Sequence, residues 1–282
     1  MPQDSPLRAA LGLALVESGH LREASSYLRQ AAAARPSNGP VWMGLAEIAS
    51  ADGDKQRALQ LMQQSLSKEW QPEEESARRE AQFRYAKLLA EAGRKAEAVS
   101  QLISMIEQRG DDPVAGKKAA EMVRGLGSRE QAEEAYDLLV KRYPADASVW
   151  MRLGDIRYAA DKDHAALDAY QRALLADQQS KAAKDSIDRV EEVLRLDPTR
   201  RGLPVRERAR RWDEVLHRVW EMASVCGLSE QADRVKPLLK QRTASLEASD
   251  KKMDAALKLW HEIDASCRKD AVLAHVMGKL KE

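Results

Sequence analysis

The chain of 282 residues is poor in the residues that punctuate or cross-link a fold: two Cys, ten Pro, fourteen Gly and a single Phe. Two cysteines cannot staple so long a chain into a disulfide scaffold. Cys226 and Cys267 form no C-x-x-C pair, so a structural zinc site is not expected. No apolar run reaches the ~18 residues that a membrane-spanning helix needs. Net charge is nearly absent, because 46 Lys and Arg face 45 Asp and Glu, leaving +1. A nucleic-acid domain is usually strongly basic, so such a role would need one local patch. Nor is the charge lopsided enough for a disordered chain. Met1-Pro2-Gln3-Asp4-Ser5 lacks a basic flank and apolar core, so it is not read as a signal peptide. The expected compartment by default is the cytoplasm.

Alanine, the strongest helix former, is plentiful instead. With Gly and Pro scarce, the expected fold is all-α, packed through small residues. A repeat then stands out. Ala24, Ala58, Ala98, Ala132 and Ala166 follow polar turns such as Ser18-Gly19-His20, Asp52-Gly53-Asp54 and Ala160-Asp161-Lys162. A large apolar residue comes one helical turn after each Ala: Leu28, Met62, Leu102, Tyr136 and Tyr170. Upstream stand Leu11, Leu45, Tyr85, Ala119 and Leu153, each followed by a small residue: Gly12, Ala46, Ala86, Ala120 and Gly154. Pro36 and Pro144 fall where a helix must end.

Trp42-x2-Leu45-Ala46 and Trp150-x2-Leu153-Gly154 resemble the tetratricopeptide repeat, whose pattern is W-x2-L-G-x2-Y, then A-x3-F, then P, in 34 residues. The resemblance covers five units, 5–38, 39–72, 79–112, 113–146 and 147–180, with 73–78 inserted in one connection. It implies a right-handed α-solenoid of helix-turn-helix repeats. One pair cannot bury its own apolar face, so neighbours must stack. The glycines, or Asp161, would supply turns in a left-handed backbone conformation.

Residues 181–282 read as a divergent helical section. One helix ends at Asp197-Pro198, a loop follows at 199–203, and Pro204 starts a helix to about Val225. Ser229 is the expected N-cap of the next. A degenerate repeat at 237–270 would place Thr243, Ala244, Ala256 and Trp260 in phase, although Pro237 should kink or break its helix. Residues 271–282 would form an unpaired capping helix.

The usual signatures of catalysis are missing. His261-Glu262 begins a zincin motif, but Ala265 stands where its second His belongs. Ala115-Gly116-Lys117-Lys118 lacks the upstream Gly of a phosphate loop. No nucleophile elbow is present. The expectation is a chain with no catalytic residue, no metal and no cofactor.

In the family it resembles, the leading helices of the pairs line a concave groove. That implies a partner-binding surface at Phe83, Arg84, Lys87, Lys117, Lys118, Arg124, Met151, Arg152 and Tyr158. Packing of the repeat does not require Phe83 to be aromatic. Basic groups among apolar ones suit an acidic, partly apolar protein or peptide segment; the bland alternative is a solvated groove wall. The two-carboxylate clamp of chaperone-binding members is incomplete, since Ala9, Leu13 and Gly44 stand where Lys and Asn are needed.

Three features remain. Leu13 and Val16 would be exposed at the open end, where a repeat array normally has a polar cap. A partner, a second copy or an extension would cover them, so the alternative function is an assembly module for homo-oligomerisation or for anchoring a larger complex. The cluster Arg195, Arg200, Arg201, Arg206, Arg208, Arg210 and Arg211 could meet phosphates, or be balanced by Glu207, Asp213 and Glu214. Cys226 and Cys267 each end an expected helix on the same side of a layer, which permits a disulfide. A bonded pair would argue for an extracytoplasmic site.

Overall fold

The computed structural model describes residues 5–108, 112–241 and 246–281. The chain divides into two compact units, Met1–Ala145 and Asp146–Glu282. Both are all-α, as the sequence implies. The first contains α1 (Ser5–Glu17), α2 (Leu21–Ala34), α3 (Gly39–Ala51), α4 (Lys55–Leu66), α5 (Glu75–Glu91), α6 (Lys95–Glu107), α7 (Pro113–Leu126) and α8 (Arg129–Arg142). The second contains α9 (Ala147–Ala159), α10 (Asp163–Ala176), α11 (Lys181–Leu196), α12 (Val205–Val225), α13 (Ser229–Lys240), α14 (Leu246–Glu262) and α15 (Ala271–Gly278). Among the described residues no helix is long and apolar enough to cross a membrane.

In the first unit the helices pack in consecutive pairs, α1 with α2 through α7 with α8, and each trailing helix also packs on the next leading one. The turns inside three pairs use a left-handed residue: Gly19 at φ 81°, Gly53 at 80° and Gly93 at 80°. Only glycine takes that conformation without a Cβ penalty. The α7–α8 turn differs. Gly127 is extended at φ −94°, and Ser128 caps α8 in a reciprocal box with Gln131. Side-chain capping replaces the left-handed turn there.

The small residues decide how close the helices come. Ala24, Ala58 and Ala98 are fully buried. A Cβ on Gly12 would lie 2.7 Å from Leu28 Cδ2, so α1 and α2 approach as closely as bare backbone permits. In the second unit, a Cβ on Gly154 would lie 2.5 Å from Tyr170 Cε1. That ring is fixed from its far end, where Tyr170 Oη donates to Asp155 Oδ1 at 2.9 Å.

The insertion at 73–78 does not simply loosen a loop. Pro72–Glu74 form a short 3-10 turn, and Glu75 to Arg78 become an extra turn of α5, which runs 17 residues against 13 for α3. The segment before it folds back on the start of α3. Gly39 N donates to Glu69 O (2.9 Å), Glu69 N to Ser37 O (2.8 Å), and buried Ser65 Oγ to Gly39 O (2.9 Å). Trp70 closes this clasp, its indole donating to Ser65 O at 3.0 Å.

The open end of the first unit corrects one expectation. Leu13 and Val16 are part-buried and pack with Ala9, Ala24 and Leu28. Exposure on α1 falls instead on Leu7 and Leu11.

The second unit begins with the pair α9–α10, whose turn uses Asp161 at φ 57°. Beyond it the helices depart from simple pairing. α14 packs mainly against α12 and also touches α13. Ala256 and Trp260 are buried in that core, whereas Thr243 and Ala244 lie outside the described residues. α13 continues through Pro237 to Lys240, so the expected break is absent. The proline, lacking an N–H, costs the helix one hydrogen bond, the one to the Asp233 carbonyl, three residues before its end. Ser229 is the first residue of α13 rather than its cap, which is Leu228. α15 packs on α11 and α12.

Two buried cations hold this core together. Lys252 reaches Asp213 and donates to Gln241 O at 2.7 Å. Arg211 donates to the carbonyls of Leu194 (2.7 Å) and Asp197 (2.8 Å) and to Glu207 (2.9 Å). Three of the seven arginines of the cluster are thus engaged, since Arg210 pairs with Glu207 and Glu214, and Arg195 with Glu192 and Glu214, while Arg200, Arg201 and Arg206 are exposed. Cys226, at the end of α12, is bonded to Cys267 in the 3-10 turn Ala265–Cys267, with a Cα–Cα distance of 6.1 Å.

Two outcomes are expected. Gly154→Val drives a methyl-bearing Cβ into the pinned Tyr170 ring and destabilises the second unit by about 1–3 kcal/mol, read as a lower thermal midpoint. Reducing the disulfide, or replacing both cysteines by Ser, removes a 41-residue cross-link, for which loop entropy gives about 4 kcal/mol. Thiol titration of the untreated, denatured chain should find no free thiol.

Candidate partner-binding face

In the first unit the leading helices α1, α3, α5 and α7 are successive neighbours. Their shared face carries a run of alternating charge. Arg84 on α5 pairs with Glu47 on α3 and with Glu80 one turn earlier on its own helix (3.4 Å). Glu80 also accepts from Lys118 on α7 at 3.1 Å. The Lys118 ammonium lies 4.1 Å from the centre of the Phe83 ring, a cation–π contact. One connected path, Glu47–Arg84–Glu80–Lys118–Phe83, thus crosses three leading helices. A second link runs from Arg79 on α5 to Asp112, the cap of α7, at 3.3 Å.

The two glutamates feel this path differently. Burial pushes the Glu47 carboxyl above its ordinary value, with Glu17 and Glu80 adding to the rise, and Arg84 only partly offsets it. Burial also opposes ionisation of Glu80, but the hydrogen bonds and charges of Lys118 and Arg84 outweigh it and hold its carboxyl low. Glu80 is the anionic hub, and Glu47 is the more easily protonated arm.

The remaining basic residues of the face are also matched. Lys87 lies 3.9 Å from Glu91, and Arg124 is 2.8 Å from Glu121. Glu121 in turn accepts from Tyr136 Oη on α8 at 2.8 Å. Lys117 is part-buried on α7. The face therefore has no simple surplus of positive charge; it is a lattice of both signs. Glu47 and Glu80 occupy the same set of repeat positions as the bases but were not singled out in the sequence, because their pairing is visible only across helices.

Phe83 is buried, so it is a packing residue beneath Lys118 as well as part of the face. In the second unit, Met151 packs against Ala166, Tyr170 and Val190. Tyr158 is stacked on His275 at 4.0 Å, which makes it a seat for α15. Arg152 is exposed, 3.6 Å from Asp155.

That seat gathers several titratable groups. His275 Nε2 lies 3.0 Å from Asp163 Oδ1 and 3.4 Å from Asp161 Oδ1. Lys279 donates to Asp163 and to Asp197 Oδ2 (3.0 Å), and Thr199 donates to Asp197 Oδ1 through N (2.8 Å) and Oγ1 (2.7 Å). Burial pushes the Tyr158 hydroxyl up to about 12. Asp163 would rise with burial, yet bonds from His275 and Lys279 hold it below the usual carboxylate value. The Lys279 ammonium is opposed by burial but raised overall by Asp163 and Asp197. The carboxylates and cations here satisfy one another, which fits a clasp for α15. Among the described residues no group of three or more His, Cys, Asp or Glu could hold a metal ion.

Antiparallel helix pairs held by small residues, with a continuous leading-helix face, define a helical-repeat protein. Residues 9–74 and 120–183 match the tetratricopeptide repeat, which assigns those two regions to that family. Repeats of this kind make it, in general, a protein–protein interaction scaffold. No curated protein matches the chain. Among solved structures, the chain is similar to YrrB, a TPR protein described as having an unusual peptide-binding site, at 13% identity over 64% of this chain and 90% of that one, TM-score 0.43. PilF of Pseudomonas aeruginosa shares 17% identity over 89% and 98%, TM-score 0.41. The C-terminal part of a TPR repeat-containing protein of Cytophaga hutchinsonii shares 12% over 95% and 98%, TM-score 0.47.

The acid response of the α15 clasp is testable. Because the folded Asp163 pKa lies below the ordinary 3.8, its contribution to stability is complete above that value and is lost as pH falls through and below it. Asp163→Asn should lower stability at pH 7 and flatten the decline of the thermal midpoint between about pH 5 and pH 2.

Proposed function

We propose that the chain is a non-catalytic adaptor that holds a protein or peptide segment on its leading-helix face. On this reading the repeats are 5–38, 39–72, 79–112, 113–146 and 147–180, and 181–282 is a divergent helical section ending in a cap. The observation that carries the proposal is the cross-helix path Glu47–Arg84–Glu80–Lys118, set over the Phe83 ring. Surface ion pairs of this kind contribute only about 0–1 kcal/mol each, so an incoming carboxylate can exchange with Glu47 or Glu80 at little cost. The partner that fits is acidic and partly apolar: its carboxylates take over Arg84 and Lys118, and its apolar groups supply the net gain. Lys87, Lys117 and Arg124 extend the same face in the first unit, and Arg152, with Met151 and Tyr158 beside it, marks the equivalent helix of the second.

The bonded pair Cys226–Cys267 favours an oxidising, extracytoplasmic compartment over the cytoplasmic default. An assembly module remains the second reading, favoured by the exposed leucines of α1.

The test is selection of displayed peptides on the full chain, followed by titration of the best binder. Selected peptides should carry Asp or Glu beside an apolar residue. The double variant Arg84→Glu, Lys118→Glu should weaken them at least about 10-fold, while Arg172→Glu on α10 should not. Binding indifferent to the double variant would remove the proposal.

A further inference from the structure

The turn between α11 and α12 carries positive charge that the second unit leaves unanswered. Arg200 and Arg201 lie in the turn, Arg206 is the second residue of α12, and all three are exposed. Among the described residues no carboxylate is paired with any of them. The carboxylates nearest in the chain are taken by other groups. Asp197 holds Lys279 at 3.0 Å, Glu207 holds Arg210 and Arg211 at 2.9 Å each, and Asp213 holds Lys252. Glu214 holds Arg210 at 3.1 Å and Arg218 at 3.3 Å. No side chain caps the 21-residue α12, so the partial positive charge of its N-terminus adds to that of Arg206.

The root of the turn is fixed. Asp197 Oδ1 accepts from Thr199 N (2.8 Å) and Oγ1 (2.7 Å), and Asp197 O accepts from buried Arg211 at 2.8 Å. Gly202 then reverses the chain at φ 80°. A surface that meets this turn has little backbone left to order.

We propose that the turn docks on the surface of an anionic phospholipid membrane, its three arginines taking headgroup phosphates. Guanidinium groups bind phosphate oxygens two at a time, and a membrane presents many phosphates side by side. Two features select the bilayer over other carriers of phosphate. Leu203, Pro204 and Val205 form an apolar run between Arg201 and Arg206, with Val205 46% exposed, Pro204 exposed and Leu203 part-buried. Such a tip finds its place at the boundary of headgroups and acyl chains, with the arginine heads left among the phosphates. Against the backbone of a polynucleotide it would meet only charge. None of residues 199–206 is aromatic, so the turn has nothing to stack on unpaired bases. Each basic residue near an anionic surface strengthens binding about 5-fold, so three give about 100-fold. The attachment is therefore reversible and weakens with salt.

This inference does not depend on the adaptor reading, because the turn and the leading-helix face share no residue; the Arg84→Glu, Lys118→Glu pair should leave it intact. The test is flotation of the full chain, unreduced, with vesicles at about 0.05 M salt. The chain should float with phosphatidylcholine vesicles that contain about 30% phosphatidylglycerol, and not with phosphatidylcholine alone. Arg200→Gln, Arg201→Gln and Arg206→Gln together should weaken binding about 100-fold with unchanged circular dichroism. Arg22→Gln, Arg29→Gln and Arg57→Gln, at exposed arginines of α2 and α4, remove the same charge and should change binding less than about 3-fold. Leu203→Ser with Val205→Ser keeps every charge and should weaken binding about 10-fold; Val205→Ser alone serves if the pair disturbs the unit. A duplex oligonucleotide and inorganic phosphate should both bind more weakly than the vesicles. Failure to float, equal loss in the two arginine triples, indifference to the serine variants, or tighter binding of the oligonucleotide or of phosphate would overturn it.

Discussion

The fold depends on how near two helices can come. Gly12 against Leu28 and Gly154 against Tyr170 leave no room for a methyl group, and the buried alanines of the trailing helices close the other half of each contact. Near approach lets a single large side chain per pair fill the space, so a chain with one Phe and fourteen Gly can still bury apolar cores. Stacking follows, because a pair packed this tightly has only its outer sides left to cover. The leading-helix face is what remains once those sides are used.

That face shows how a chain with almost no net charge can still present specific chemistry. Its bases are not free cations; they are held in register by carboxylates on neighbouring helices, as Arg84 is held between Glu47 and Glu80. Such a lattice fixes side-chain positions without investing much stability in any one pair. A partner on this face, as proposed, would meet charges that are already oriented, so their ordering would not weaken binding. On the adaptor proposal, recognition would rest on exchange of partners at fixed points and on apolar contacts around them.

The parts that were legible in the sequence are those governed by neighbours in the chain. The 34-residue phase, the glycines of three turns, Asp161 in a fourth and the small residues after each leading-helix anchor all follow from local backbone and Cβ sterics. Gly127 broke the turn rule because Ser128 and Gln131 supplied a different cap. The site was legible only as a set of positions. Phe83 was placed on the right helix, but its burial depends on Lys118, 35 residues later. Tyr158 could not be recognised as a seat without His275, and α14 could not be assigned to α12 rather than α13 from periodicity. Pro237 misled for the opposite reason: the local rule was sound, but the helix was ending anyway.

The Cys226–Cys267 bond encloses α13, α14 and the connection between them. A protease cut anywhere inside that span would leave both fragments tethered through sulfur, with α15 still carried on the downstream piece beside α11. The C-terminal unit can therefore be nicked without being dismantled, and its backbone continuity and its structural continuity are separate properties.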